Sequence, residues 1–124
     1  MIKLYYYFLL IRPLNVFVSA LAMIISAAIL NRLNESLTIV LVTLVVMVFT
    51  AAANSINDVI DLETDKINRP LRPIPSKNIN KNRALLFSFI LFLIGSILCL
   101  QLSISAQFIG IIIAMPLMII YSTD

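Results

Sequence analysis

The residues able to do chemistry in this chain crowd into one stretch. Asn57, Asp61 and Asp65 are spaced i, i+4, i+8, and Asn54, Asp58, Asp61 and Asp65 are spaced four, three and four apart. Either set shares one face of a helix, because residues three and four apart are neighbours there. Carboxylates one turn apart repel, and at a helix C-terminus they also meet the negative end of the backbone dipole. An aspartate at the membrane centre costs ~2.5–3.5 kcal/mol on insertion scales, and less near the interface. Something positive must offset these terms. Mg²⁺ suits, because it takes oxygen ligands, commonly one or two carboxylates together with substrate phosphates and water. Asn57, Asp58, Asp61 and Asp65 are therefore candidate metal-binding residues, with Asn57 as a neutral carbonyl ligand or a group that positions a carboxylate. The plainer alternative is a solvated helix end whose acids pair with Lys66 and Arg69.

Immediately downstream, Arg69 and Arg72 stand among Pro70, Pro73 and Pro75. Proline fixes its own φ and biases its predecessor toward extended backbone, so both arginines are held on a stiffened chain. The planar guanidinium fork donates two parallel hydrogen bonds to phosphate oxygens. Arg69 and Arg72 are candidate diphosphate contacts, with Lys66 as a further one; the competing role for each arginine is a topology anchor. The chain has no histidine and one cysteine, Cys99. That excludes an intrachain disulfide, a Cys/His metal site and a Ser/His or Cys/His nucleophile, so no catalytic residue is assigned.

The elements that must carry these residues are membrane helices. Of 124 residues, 61% are hydrophobic and 12% charged, with a mean hydropathy of +1.05. A soluble domain carries roughly 25% charged residues, and so short a chain cannot hide this apolar surface in one aqueous core. Apolar runs predict four helices, at 14–30, 37–57, 84–100 and 106–121, with a motif loop at 58–83; spans need around 20 apolar residues. The expectation is an all-α, multi-pass transmembrane bundle. Six of the nine Lys and Arg residues lie between Lys66 and Arg83. This is the charge pattern of a cytoplasmic loop rather than a nucleic-acid surface, and it places the N-terminus and motif loop in the cytoplasm. The stretch 14–30 lacks a small-residue cleavage site and is expected to be a retained helix. An apolar helix ending three residues before Asp124, with no basic anchor, predicts a fragment of a longer protein.

The run Asn57-Asp58-x-x-Asp61-x-x-x-Asp65, then Arg69-Pro70-x-Arg72-Pro73-Ile74-Pro75-Ser76, resembles the first aspartate-rich motif of the UbiA superfamily of intramembrane prenyltransferases. Arg12-Pro13-x-Asn15 resembles the opening of its digeranylgeranylglyceryl phosphate synthase-like branch, and Tyr121-Ser122 its segment after the fourth helix. The resemblance spans essentially all of residues 1–124. It implies the first part of a nine-helix fold, completed by further C-terminal helices that carry a second aspartate motif. It also implies Mg²⁺-dependent transfer of an isoprenoid chain from an allylic prenyl diphosphate to a membrane-associated acceptor, with a geranylgeranylglyceryl phosphate-type lipid favoured over a quinone precursor. Asn57, Asp61 and Asp65 would bind metal with Asp58 assisting, Arg69 and Arg72 would contact phosphate, and Arg12 is a weaker substrate contact. Lys77 departs from the family, since many members have glycine there. Two other classes remain as alternatives. A truncated membrane fragment or half of a split enzyme would bind metal weakly without turnover. A CDP-alcohol phosphotransferase would need Asp-Gly and Ala-Arg pairs that are lacking upstream.

Overall fold

The computed structural model describes residues 2–121, with side chains described from Leu4 onward. Ser122, Asp124 and the side chain of Lys3 lie outside that range. Every regular element among the described residues is helical: α1 (Ile2–Leu10), α2 (Pro13–Ile29), α3 (Ser36–Ile60), α4 (Leu62–Asn68), α5 (Lys81–Cys99) and a last helix, α6 (Ile104–Tyr121). Helices α3, α5 and α6 are each long and apolar enough to cross a membrane, and α1 with α2 makes a fourth if the bent pair counts as one span. Large apolar side chains stay exposed along these helices, among them Phe17, Ile25, Phe89, Ile97 and Ile112. Lipid is the solvent that such faces require.

Local chemistry sets where the helices break. The pair α1 and α2 meets at 51°, because Pro13 starts α2 without an N–H and drives Arg12 out of the helical region. Arg12 takes φ 52° and ψ 74°, the left-handed conformation. Helix α3 is 25 residues long, or about 37 Å at 1.5 Å per residue, longer than a ~30 Å hydrocarbon core. Its last turn therefore carries Asn57 and Asp58 into the interface. The helix breaks at Asp61, an aspartate that favours helix ends over interiors, and α4 continues from it. Helix α4 ends at Asn68, just before the non-helical Arg69 that precedes Pro70. The apolar patterning does not single out α1 or α4.

Helix α3 is the hub, packing against α2 on one side and α5 on the other. At the motif end, Leu10, Val59, Ile74, Ile79 and Ala84 form one buried cluster. The proline-rich loop is thus plugged into the bundle by Ile74 and Ile79 rather than floating above it. Further into the membrane, Val45, Phe49, Ala52, Phe92 and Cys99 form a second cluster. Ser88 Oγ donates to the Ala52 carbonyl at 2.8 Å across the same interface. Helix α6 winds as a π-helix over Phe108–Ala114. Pro116 supplies no N–H to the turn before it, where the ladder has widened.

Gly95 lets α5 pack closely against α3. A Cβ at this position would run into the ring of Phe49, itself buried. Gly95→Ala is expected to destabilise the protein by about 1–3 kcal/mol through overpacking. Phe49→Leu should recover part of that loss, as read by thermal melting of the two single variants and the double variant in detergent.

Candidate functional site

Asp58, on the last turn of α3, is the centre of a buried charge cluster. Its Oδ1 accepts from Arg12 Nη2 and, at 3.1 Å, from Arg72 Nη1. The same Arg72 nitrogen also donates to Asp65 Oδ2 on α4. The two carboxylates are almost wholly buried, with side-chain exposures of 4% for Asp58 and 7% for Asp65. Four of the sequence-predicted residues, from four separate parts of the chain, thus converge on one point. The bend places Arg12, α3 places Asp58, α4 places Asp65, and the turn before Pro73 places Arg72. Charges removed from water this far persist only when paired and hydrogen-bonded, a condition the cluster meets with two cations and two anions.

The remaining candidates divide by position. Asp61, at the junction of α3 and α4, is exposed, and among the described residues its carboxylate makes no hydrogen bond or ion pair. Backbone bonds from Asp61 N to Asn57 O and from Asp65 N to Asp61 O, both 2.8 Å, keep the four-residue rhythm across the break. Asn57 Oδ1 is buried with no hydrogen-bond partner. Arg69 is exposed and, with Arg72, Leu9, Asn68 and Leu71, lines a cavity of about 500 Å³. Lys66 does not join the cluster: its Nζ donates to Glu63 at 2.7 Å, and it lines a different cavity. Of the pairings a plain solvated helix end would show, only Lys66 with Glu63 forms; the buried aspartates Asp58 and Asp65 take Arg12 and Arg72.

The donor set fits a hard divalent cation without a preformed cage. Among the described residues, no three His, Cys, Asp or Glu side chains converge to hold a metal. What they present is an orphaned amide carbonyl at Asn57, an unpaired carboxylate at Asp61, and Asp65 one turn further on. All are oxygen donors, which suit Mg²⁺ and not a soft metal. Mg²⁺ is commonly held by one or two carboxylates, with substrate phosphates and water filling the rest.

Two residues outside the predicted set hold this geometry. The break at Ile11 and Arg12 frees the Ile11 carbonyl, and Asn54 Nδ2 donates to it at 2.8 Å. Asn15 Nδ2 reaches Asn54 Oδ1 at 3.5 Å from the first turn of α2. Asn54 therefore ties α3 to the bend that aims Arg12 at Asp58. The signal for it was an amide placed one turn before the motif in an apolar span, where a buried polar group must find a partner. Asn54→Leu is expected to cost about 1–3 kcal/mol by leaving the Ile11 carbonyl unpaired. Thermal melting in detergent checks it, and Asn54→Gln should fail to restore the wild-type value because its amide sits one methylene further out.

The sequence profile of the UbiA prenyltransferase family matches residues 14–123. Digeranylgeranylglyceryl phosphate synthase of Methanosphaera stadtmanae is 40% identical over 118 residues, covering 95% of this chain and 42% of that protein. The synthase of the same name from Saccharolobus solfataricus is 41% identical, again over 95% of this chain and 42% of its own length. A solved structure from work on digeranylgeranylglyceryl phosphate synthase in membranes superposes with a TM-score of 0.92 at 38% identity, covering 100% of this chain and 44% of the other. The chain thus spans less than half the length of these relatives. Asp58, Asp65 and Arg72 of the cluster, and the N-x-x-x-D-x-x-x-D rhythm that continues through the helix break, lie inside the matched region, and on that match the chain belongs to the UbiA prenyltransferase family.

Proposed function

We propose that the protein acts in a Mg²⁺-dependent intramembrane prenyltransferase, which moves an isoprenoid chain from an allylic prenyl diphosphate to a membrane-associated acceptor. The favoured acceptor is a geranylgeranylglyceryl phosphate-type lipid, since the relatives at about 40% identity carry the name digeranylgeranylglyceryl phosphate synthase. The observation that carries the proposal is the pairing of an unpartnered carboxylate and an orphaned carbonyl, Asp61 and Asn57, beside an arginine-rich loop at the end of a membrane helix.

Asn57, Asp61 and Asp65 hold the metal, and Asp58 fixes the two arginines around them. Arg72 and Arg69 face the cavity above Leu9 and Leu71 and bind the diphosphate oxygens. Mg²⁺, when bound, neutralises charge on the leaving diphosphate. The C1–O bond of the donor breaks with its electron pair leaving on the diphosphate, the acceptor hydroxyl oxygen bonds to C1, and its proton passes to the departing diphosphate. Arg69 and Arg72 stabilise the charge gathering on the diphosphate, the kind of preorganised electrostatic help usually worth several kcal/mol. The isoprenoid tail lies among the apolar helices. The basic residues of the loop place it and the N-terminus in the cytoplasm. The described residues form one arm of the site, and the further helices of the longer family members supply the opposing arm.

The test is transfer of labelled geranylgeranyl diphosphate to geranylgeranylglyceryl phosphate by the full-length protein in membranes. Lipid product that requires Mg²⁺ and disappears with a chelator is expected. Product on 4-hydroxybenzoate and none on the lipid would move the assignment to a quinone precursor, and transfer indifferent to chelation would remove the metal from it.

A further inference from the structure

A second cavity, of about 360 Å³, lies beside the motif loop and shares no lining residue with the one over Arg69 and Arg72. Leu62, Ile74 and Ile79 give it an apolar floor, while Lys66, Lys77 and Lys81 ring it. No acidic residue lines it. Lys66 is held by Glu63, whereas among the described residues Lys77 and Lys81 make no ion pair. Lys81 opens α5, a membrane-crossing helix, so the ring lies where that helix enters lipid.

Lys77 is the informative member. Its φ is 62°, in the left-handed region that favours glycine. The turn demands it: Lys77 N donates to the Ile74 carbonyl at 3.0 Å, Ile79 N donates to Pro73 at 3.0 Å, and Ile74 and Ile79 are both buried. Glycine would take this conformation without strain. A lysine there is strained and adds a cation with a long apolar stem, and strain held in place by surrounding packing is a pointer to function.

We propose that this pocket binds the phosphate headgroup of an anionic membrane lipid. Lys66, Lys77 and Lys81 surround the phosphate, and the first carbons of the lipid lie on Leu62, Ile74 and Ile79. The apolar floor and the position at the entry of α5 select a lipid over a soluble anion, because a free phosphate gains nothing from buried isoleucines. The site stands apart from the proposed transfer reaction and does not depend on it.

The experiment uses the full-length protein in mixed micelles of phosphatidylcholine and phosphatidylglycerol, with bound lipid counted by native mass spectrometry. Wild type is expected to retain phosphatidylglycerol preferentially. Lys77→Gly should weaken retention about fivefold, and Lys77→Gly with Lys81→Gln roughly 20-fold, from the usual contribution of each surface lysine to an anionic leaflet. Lys77→Gly should melt no lower than wild type, since it relieves the strained backbone. Undiminished phosphatidylglycerol retention in the double variant would overturn the proposal. So would complete displacement from wild type by millimolar inorganic phosphate, which would make this a soluble-anion site.

Discussion

Asp61→Ala is expected to cut prenyl transfer by the full-length protein about 10²–10³-fold while leaving its melting temperature unchanged, and Asp65→Ala to lower both. The contrast comes from the surroundings of the two carboxylates. Asp61 is exposed and unpaired among the described residues, so its removal breaks no contact. In the proposed reaction its charge matters only when metal and diphosphate arrive. Losing one preorganised electrostatic contact of this kind reduces turnover about 10²–10³-fold. Asp65 is buried and accepts from Arg72. Truncating it deletes a proposed metal ligand and also strips a partner from a partly buried guanidinium. That destabilises by roughly 3 kcal/mol, the low end for a broken buried pair, because Arg72 retains Asp58. Steady-state transfer in membranes and thermal melting in detergent read the two effects separately. Full transfer by Asp61→Ala would remove that residue from the metal site. Equal melting of both variants would mean that the Arg72–Asp65 pair contributes nothing to the fold.

The same two residues show how far the sequence could be read. The membrane class was legible because apolar composition leaves a chain this short no aqueous solution, and it forms the all-helical bundle expected. The location of the motif was legible because Asn57, Asp61 and Asp65 keep a helical interval and two arginines follow among prolines. Their division of labour was not. A continuous helix would leave Asp58, Asp61 and Asp65 in similar surroundings; the break at Asp61 instead buries the outer two and exposes the middle one. The ion pair between Arg12 and Asp58 joins residues 46 apart, and no local interval encodes it. It depends on the left-handed Arg12 before Pro13 and on Asn54 holding the freed Ile11 carbonyl. Lys66 shows the same limit from the other side. Adjacent in sequence to Asp65, it pairs with Glu63 and lines the other cavity. Helical direction decides that, since neighbours in sequence point about 100° apart around an α-helix.

Asp58→Leu is expected to be the most destabilising single substitution in the site, at about 3 kcal/mol, because it leaves the partly buried Arg12 without its carboxylate. Arg72 suffers less, since it retains Asp65. The informative experiment adds Arg12→Met. Replacing both members of a buried ion pair with apolar groups of similar volume is often neutral or stabilising, whereas removing one is costly. The double variant Asp58→Leu with Arg12→Met should therefore melt well above Asp58→Leu alone, a positive coupling that a double-mutant cycle measures directly. Transfer should not return with stability. In the double variant Arg72 is held by one carboxylate instead of two and is free to turn away from the proposed diphosphate cavity, so a refolded but misaligned site is the expected product. If activity did recover in step with melting, the Arg12–Asp58 pair would be a fold element alone, and Arg72 would be aimed at the diphosphate by Asp65 without help. If the single variant melted like wild type, the buried charges of this site would have found other partners, and the convergence of the bend, α3, α4 and the proline loop on Asp58 would not be what holds them together.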